Sequence, residues 1–140
     1  MSGRRKTWAE RLRGGKPHEV KPAPIDIAGM KAGQRMLVPS ALLVDGFIRG
    51  LPSGSSFSAK ALRQAMAEAH GADVTCPITM GFHLRTVAEA MWESLAGGTP
   101  VERLTPVWRV LPPGSATLPK LSFDLGFIRR RRELEGLDTS

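Results

Sequence analysis

The chain has 140 residues, 41% of them apolar, and a formal net charge of +7, enough to bury one core while favouring an acidic partner such as nucleic acid or a membrane surface. No run of about 18 apolar residues occurs and no apolar stretch follows the basic start, so neither a membrane-spanning helix nor a secretory leader is expected. The lone Cys76 excludes an internal disulfide and fits a reducing cytoplasm.

In the first 21 residues Arg4, Arg5, Lys6, Arg11, Arg13, Lys16 and Lys21 face only Glu10 and Glu19, a net +5. Residues 1–35 therefore read as a basic arm and extended connector, with Arg4, Arg5 and Lys6 as candidate nucleic-acid contacts; a solubilising tail is the alternative. Trp8 and Leu12 at i, i+4 allow two weak, mobile helical turns before Gly14 and Gly15. Beyond Lys16, Pro17, Pro22, Pro24, Gly29 and Gly33 forbid a long regular element. A domain over residues 36–140 follows, opening with Met36-Leu37-Val38 as a short strand or packed segment.

Helical spacing begins at Ser40, an N-cap followed by Leu42, Leu43, Phe47, Ile48 and Leu51. A second helix is predicted from about Ala59 to His70 with Ser58 as its cap and Leu62, Ala65, Met66 and Ala69 on one face. Gly71 serves as its stop. A third runs from Pro77 to about Leu95, its stripe made by Leu84, Val87, Ala88, Met91 and Leu95. Thr105-Pro106-Val107-Trp108-Arg109-Val110 reads as a β-rich run, Pro112-Pro113-Gly114 as a turn, and 120–137 as a final helix carrying Arg129 to Arg132. The arginine run is a solvated face or a contact surface. The fold class expected is mainly α with a small β element, a helix-turn-helix or winged-helix DNA-binding domain.

The run Pro106-Val107-Trp108-Arg109-Val110 resembles P-C-H-R-V of the alkylguanine-DNA alkyltransferase family, where the cysteine accepts an alkyl group from damaged guanine and the histidine helps to activate it. Further matches follow in the same order. Ile48-Arg49-Gly50-Leu51-Pro52-Ser53-Gly54 is similar to a segment ending I-P-x-G. Phe57-Ser58-Ala59-Lys60-Ala61-Leu62 is similar to V-S-Y-x-x-L, and Arg85-Thr86-Val87-Ala88-Glu89-Ala90-Met91 to the recognition-helix run R-A-V-G-x-A-M. Thr99-Pro100-Val101 stands as far before Val107 as the family's N-P-V stands before its cysteine.

The resemblance implies a winged-helix-like DNA-binding domain over most of residues 36–140 and a double-stranded DNA partner. It makes Arg85 the residue that enters the stack where a nucleotide is extruded; the alternative is a surface arginine paired with Glu89. Ser58, Thr79, His83 and Arg109 join Arg85 as candidate DNA contacts. The departures fall on the chemistry. Val107 replaces the acceptor, and Trp108 replaces the histidine with an indole that only donates. Thr99 replaces the hinge asparagine and Ala59 the nucleotide-rotating tyrosine, while the family's acidic partner falls in or near the arginine run. The chain is therefore expected to be non-catalytic, similar to the alkyltransferase-like proteins that recognise alkylated guanine without transfer, with a downstream repair protein as a further partner.

Two other readings stay open. Cys76, before Pro77 at a helix start where the dipole favours a thiolate, could be a displaced acceptor, with a small packed residue as the plainer reading. The protein could instead be a nucleic-acid module with no lesion specificity. No cofactor is implied, and His70, Cys76 and His83 lack paired zinc-ligand spacing, so no metal is expected. The oligomeric state is not written in the sequence.

Overall fold

In the computed structural model residues 6–139 are described; Arg4 and Arg5, two of the candidate arm contacts, lie outside them. The first helix, α1 (Trp8–Arg13), starts at a capping box: the Thr7 hydroxyl accepts from the Glu10 amide at 3.0 Å and the Glu10 carboxylate from the Thr7 amide at 2.7 Å. Expected as mobile turns, α1 is instead docked. The amides of Trp8 and Ala9 donate to the two oxygens of Glu93 at 3.0 and 3.1 Å, and Leu12 packs against the main core. A six-residue helix is too short to hold itself in water, so this docking supplies what its own propensity cannot.

The connector also carries more structure than its prolines suggested. Strand β1 (Glu19–Pro22) pairs antiparallel with β2 (Arg35–Val38) in the register Glu19 with Val38 through Pro22 with Arg35. Strand β2 pairs in parallel with β3 (Val74–Thr75), giving the order β1-β2-β3. Pro22 is tolerated because it closes an edge strand, where no further neighbour needs its missing N–H. Ala23, Met30 and Met36 form a small cluster under this sheet, with Cys76 packed against it.

Four longer helices make the rest: α2 (Ala41–Arg49), α3 (Ala59–Ala69), α4 (Pro77–Ala96) and α5 (Gly126–Leu134). Ser40 and Ser58 cap α2 and α3, each accepting an amide at 3.1 Å. The buried stripe of α2 is Ala41, Val44, Asp45 and Ile48, so Leu42, expected in the core, lies off it and is 50% exposed. On α3 the buried residues are Leu62, Met66 and Ala67, while Ala69 is exposed. Helix α4 runs through the main core with Met80, Leu84, Val87, Ala88 and Met91 buried.

The run at 105–110 is not a strand. Val107–Val110 forms a 3-10 turn with Val107, Trp108 and Val110 all buried, and successive residues buried in three directions cannot be served by a two-faced strand. The Thr105 hydroxyl donates to the buried Asp45, which also accepts from Arg49 at 2.9 Å. The Phe57 amide donates to the Arg109 carbonyl at 2.7 Å, tying the run to the entrance of α3. Among the described residues no strand follows α4. The fold is mainly helical with a small three-stranded sheet built ahead of its longest helix.

Candidate nucleic-acid interface

Along one side of α4, at spacings of four, three, four and four, stand Ile78, Phe82, Arg85, Glu89 and Glu93. The second half of this stripe is covered. Glu89 is buried and accepts from the Ser122 amide at 2.7 Å and from the Ser122 hydroxyl, and Glu93 is occupied by the start of α1. The first half is bare: Ile78 is 64% and Phe82 74% exposed. Arg85 stands at the boundary. Glu89, the i, i+4 partner of the plainer reading, gives both oxygens to Ser122, and the Arg85 guanidinium carbon is instead 5.6 Å from the centre of the Trp8 ring, with that of Arg11 4.5 Å from the same ring. Cation–π attraction to Trp8 thus links the basic N-terminal helix to Arg85.

Beside the bare half opens a cleft of about 470 Å³, walled by the first turns of α3 and α4, by Val110, and by the turn from Ser115 to Lys120. Its charged lining residues are Arg63, Arg85 and Lys120, and no acidic side chain lines it. Lys60 and Arg63 continue the basic surface into the adjoining hollow. Low-dielectric walls strengthen the field of such a group of cations, so the cleft attracts anions.

The other candidates divide. Ser58 precedes Ala59 of the cleft wall without lining the cleft itself, its hydroxyl accepting the Ala61 amide at 3.1 Å as the cap of α3. Thr79 and His83 project from α4 about 100° round from the bare stripe. The Thr79 hydroxyl donates to the Cys76 sulfur at 3.2 Å. Burial pushes His83 below the ordinary histidine range, partly countered by a hydrogen bond to the Pro39 carbonyl. Lys6 is exposed at the start of the described chain.

Arg109 is committed elsewhere. Its guanidinium reaches Glu135 at 2.9 Å in an ion pair and the Leu51 carbonyl at 2.8 Å. Glu135 further accepts the Trp108 indole N–H at 2.7 Å and the Gly54 amide at 2.8 Å. Burial alone would raise this carboxyl, but the bonds from Arg109, Gly54 and Trp108 and the charge of Arg109 outweigh it and hold the pKa at about 2. The indole at position 108 is thus a donor to a carboxylate that stays ionised at neutral pH. Val107 is 0% exposed and belongs to the main core, whereas Cys76 packs against the separate cluster beneath the sheet.

The arginine run is not one solvated face. Arg129 and Arg130 are exposed, Arg131 lies with its guanidinium carbon 5.1 Å from the Trp108 ring centre, and Arg132 is 2% exposed. Arg132 donates to the carbonyls of Trp108 and Asp138, each at 2.7 Å, and to the Ser56 hydroxyl at 3.0 Å. Sequence reasoning did not single out Trp8, Arg63, Phe82, Glu93 or Lys120 as site residues, and it expected an acidic partner in or near the arginine run without naming Glu135. Phe82 carried a readable signal, as a large aromatic lying off the Leu84, Val87 and Met91 stripe.

Comparison with family models, curated proteins and solved structures finds no match to this chain. Among the described residues no group of three or more His, Cys, Asp or Glu side chains could hold a metal, and no helix is long and apolar enough to cross a membrane.

Proposed function

We propose that this protein is a non-catalytic binder of double-stranded DNA, resembling the alkyltransferase-like proteins, which engages duplexes carrying an alkylated guanine without accepting the alkyl group. The observation that carries this reading is the acid-free cleft bordered by Arg63, Arg85 and Lys120 on the exposed half of α4. Recognition of a lesion requires a nucleotide to leave the stack, at a cost of a few kcal/mol, and a planar guanidinium taking its place offsets part of that cost. Arg85 has the exposure and the position for this role. The absence of transfer is supported by the residues at the two reactive positions of the family, a core valine and an indole whose hydrogen is given to Glu135. On this reading the helical part plays the role of the family's winged-helix-like DNA-binding domain, and a downstream repair protein is a further partner.

Matched duplexes with and without an alkylated guanine, titrated with the wild type, Arg85→Ala and Arg85→Lys, test the proposal. Arg85→Ala is expected to lose about 1–3 kcal/mol on the alkylated duplex and much less on the intact one, by analogy with stacking contributions to unpaired bases. Lysine should rescue little, because it keeps the charge and lacks the flat, stackable group. Equal losses on both duplexes would reduce Arg85 to a phosphate contact and the protein to a general nucleic-acid module. Intact mass after incubation should be unchanged; a gain of one alkyl group that vanishes in Cys76→Ser would make the protein an alkyltransferase with a displaced acceptor.

A further inference from the structure

Ile78 and Phe82 are the two most exposed large apolar side chains among the described residues, and they stand one turn apart on the same helix. Water is a poor surrounding for both, and neighbouring apolar groups left bare in this way mark a contact surface. The charges around them select the occupant. Arg63, Arg85 and Lys120 flank Phe82 along the cleft with no acidic side chain among the lining residues, so a second copy presenting the same face would bring cations against cations. An anionic lipid surface would satisfy the charge, but an interfacial helix presents a long apolar face, whereas the face of α4 is bare only in its first half and closed by Ser122 and α1 in its second. A flat ring flanked by cations fits a polyanion whose interior is apolar and layered, as in duplex DNA.

From this geometry we infer that Phe82, backed by Ile78, is a wedge that enters a base step of duplex DNA while Arg63 and Lys120 hold the flanking phosphates. Apolar wedges of this kind partly unstack a step and kink the duplex. Arg85, three residues on along the same stripe, then meets a stack already opened, which lowers the remaining cost of extruding the nucleotide it replaces. The inference rests on the DNA-binding reading of the same helix and adds to it the residue that opens the stack.

Phe82→Ala tests it, because a side chain so exposed can be truncated without disturbing the core; an unchanged melting temperature checks this. Duplexes carrying 2-aminopurine beside an alkylated guanine report unstacking as a rise in fluorescence. Wild type should give the rise and Phe82→Trp should keep it. Phe82→Ala should lose most of it and bind on the order of tenfold more weakly, the equivalent of about 1.4 kcal/mol, with the same salt dependence because no phosphate contact is removed. An undiminished rise and unchanged affinity in Phe82→Ala overturn the wedge while leaving the DNA-binding reading intact. Failure of the wild type to bind any duplex overturns both. Loss in Phe82→Ala of a wild-type dimer, or of binding to anionic vesicles, with an unchanged fluorescence rise assigns the face to those occupants instead and overturns the wedge.

Discussion

Glu135→Ala is expected to destabilise the fold by about 3 kcal/mol, the lower end of the range for removing one partner of a buried ion pair, because Arg109 and Glu135 are partly rather than fully buried. Truncation leaves the Arg109 guanidinium without its counter-charge and the Trp108 indole and Gly54 amide without their acceptor. The same site governs the response to acid. With the folded pKa at about 2, below the ordinary carboxylate value of 4.5, the contribution of Glu135 is fully present above about pH 5 and is lost as pH falls toward 2. Urea unfolding between pH 2 and pH 7 reads both effects. Wild type should lose stability steeply on the acid side, and Glu135→Gln, less stable at pH 7, should show a shallower acid limb. A variant as stable as wild type at pH 7 would show that the network does not hold the C-terminus.

Arg132→Ala should be similarly costly, about 3 kcal/mol or more, because it strands the buried carbonyl of Trp108 and opens space beside it. Burial draws this arginine below the ordinary guanidinium value, while the charges of Asp138 and Glu135 draw it back. Arg132→Lys should recover little of the loss, since one ammonium cannot reach three acceptors set out to match a planar fork. Arg130→Ala, two residues away, should change stability by no more than about 0.5 kcal/mol: its pair with Glu133 at 3.5 Å is exposed. Thermal or urea unfolding of the three variants decides the matter. Equal effects at 130 and 132 would mean that the run acts as a uniform basic surface.

Helices α2, α3 and α4 were legible because each announces itself locally, whereas the last, expected over 120–137, is confined to Gly126–Leu134 with no side-chain cap to mark its start. Ser40 and Ser58 are caps, Pro77 suits a first turn, and apolar side chains recur every three or four residues between them. Even so, Leu42 and Ala69 were placed on the wrong side, since a short stripe read from hydrophobicity alone is ambiguous by about one residue in its rotation. Strand β1 was illegible because Pro22 and the prolines around the strand are usually breakers and its four residues are exposed throughout, leaving no alternation to detect. The 105–110 run misled in the opposite sense, with β-branched and aromatic residues folding into a tight turn because the core surrounds them. The candidate site depended most on pairs far apart in the chain. Trp108 meets Glu135 across 27 residues, and α1 meets Glu93 across more than 80, distances at which local periodicity says nothing. Arg85 was legible as a position on α4, whereas the cations facing it from α3 and from the 115–120 turn required the fold.

The enclosure of Val107 bears on what this chain could become. A cysteine at that position would lie in apolar surroundings that favour the neutral thiol over the nucleophilic thiolate, beside an indole unable to take its proton. Acquiring transfer chemistry there would need a second change at position 108, to a side chain that takes the proton and still donates to Glu135 as the indole does, a pair of roles a histidine can fill. Neither substitution is useful alone. For a lineage exploring one substitution at a time, the paired valine and indole at this site are easier to keep than to leave.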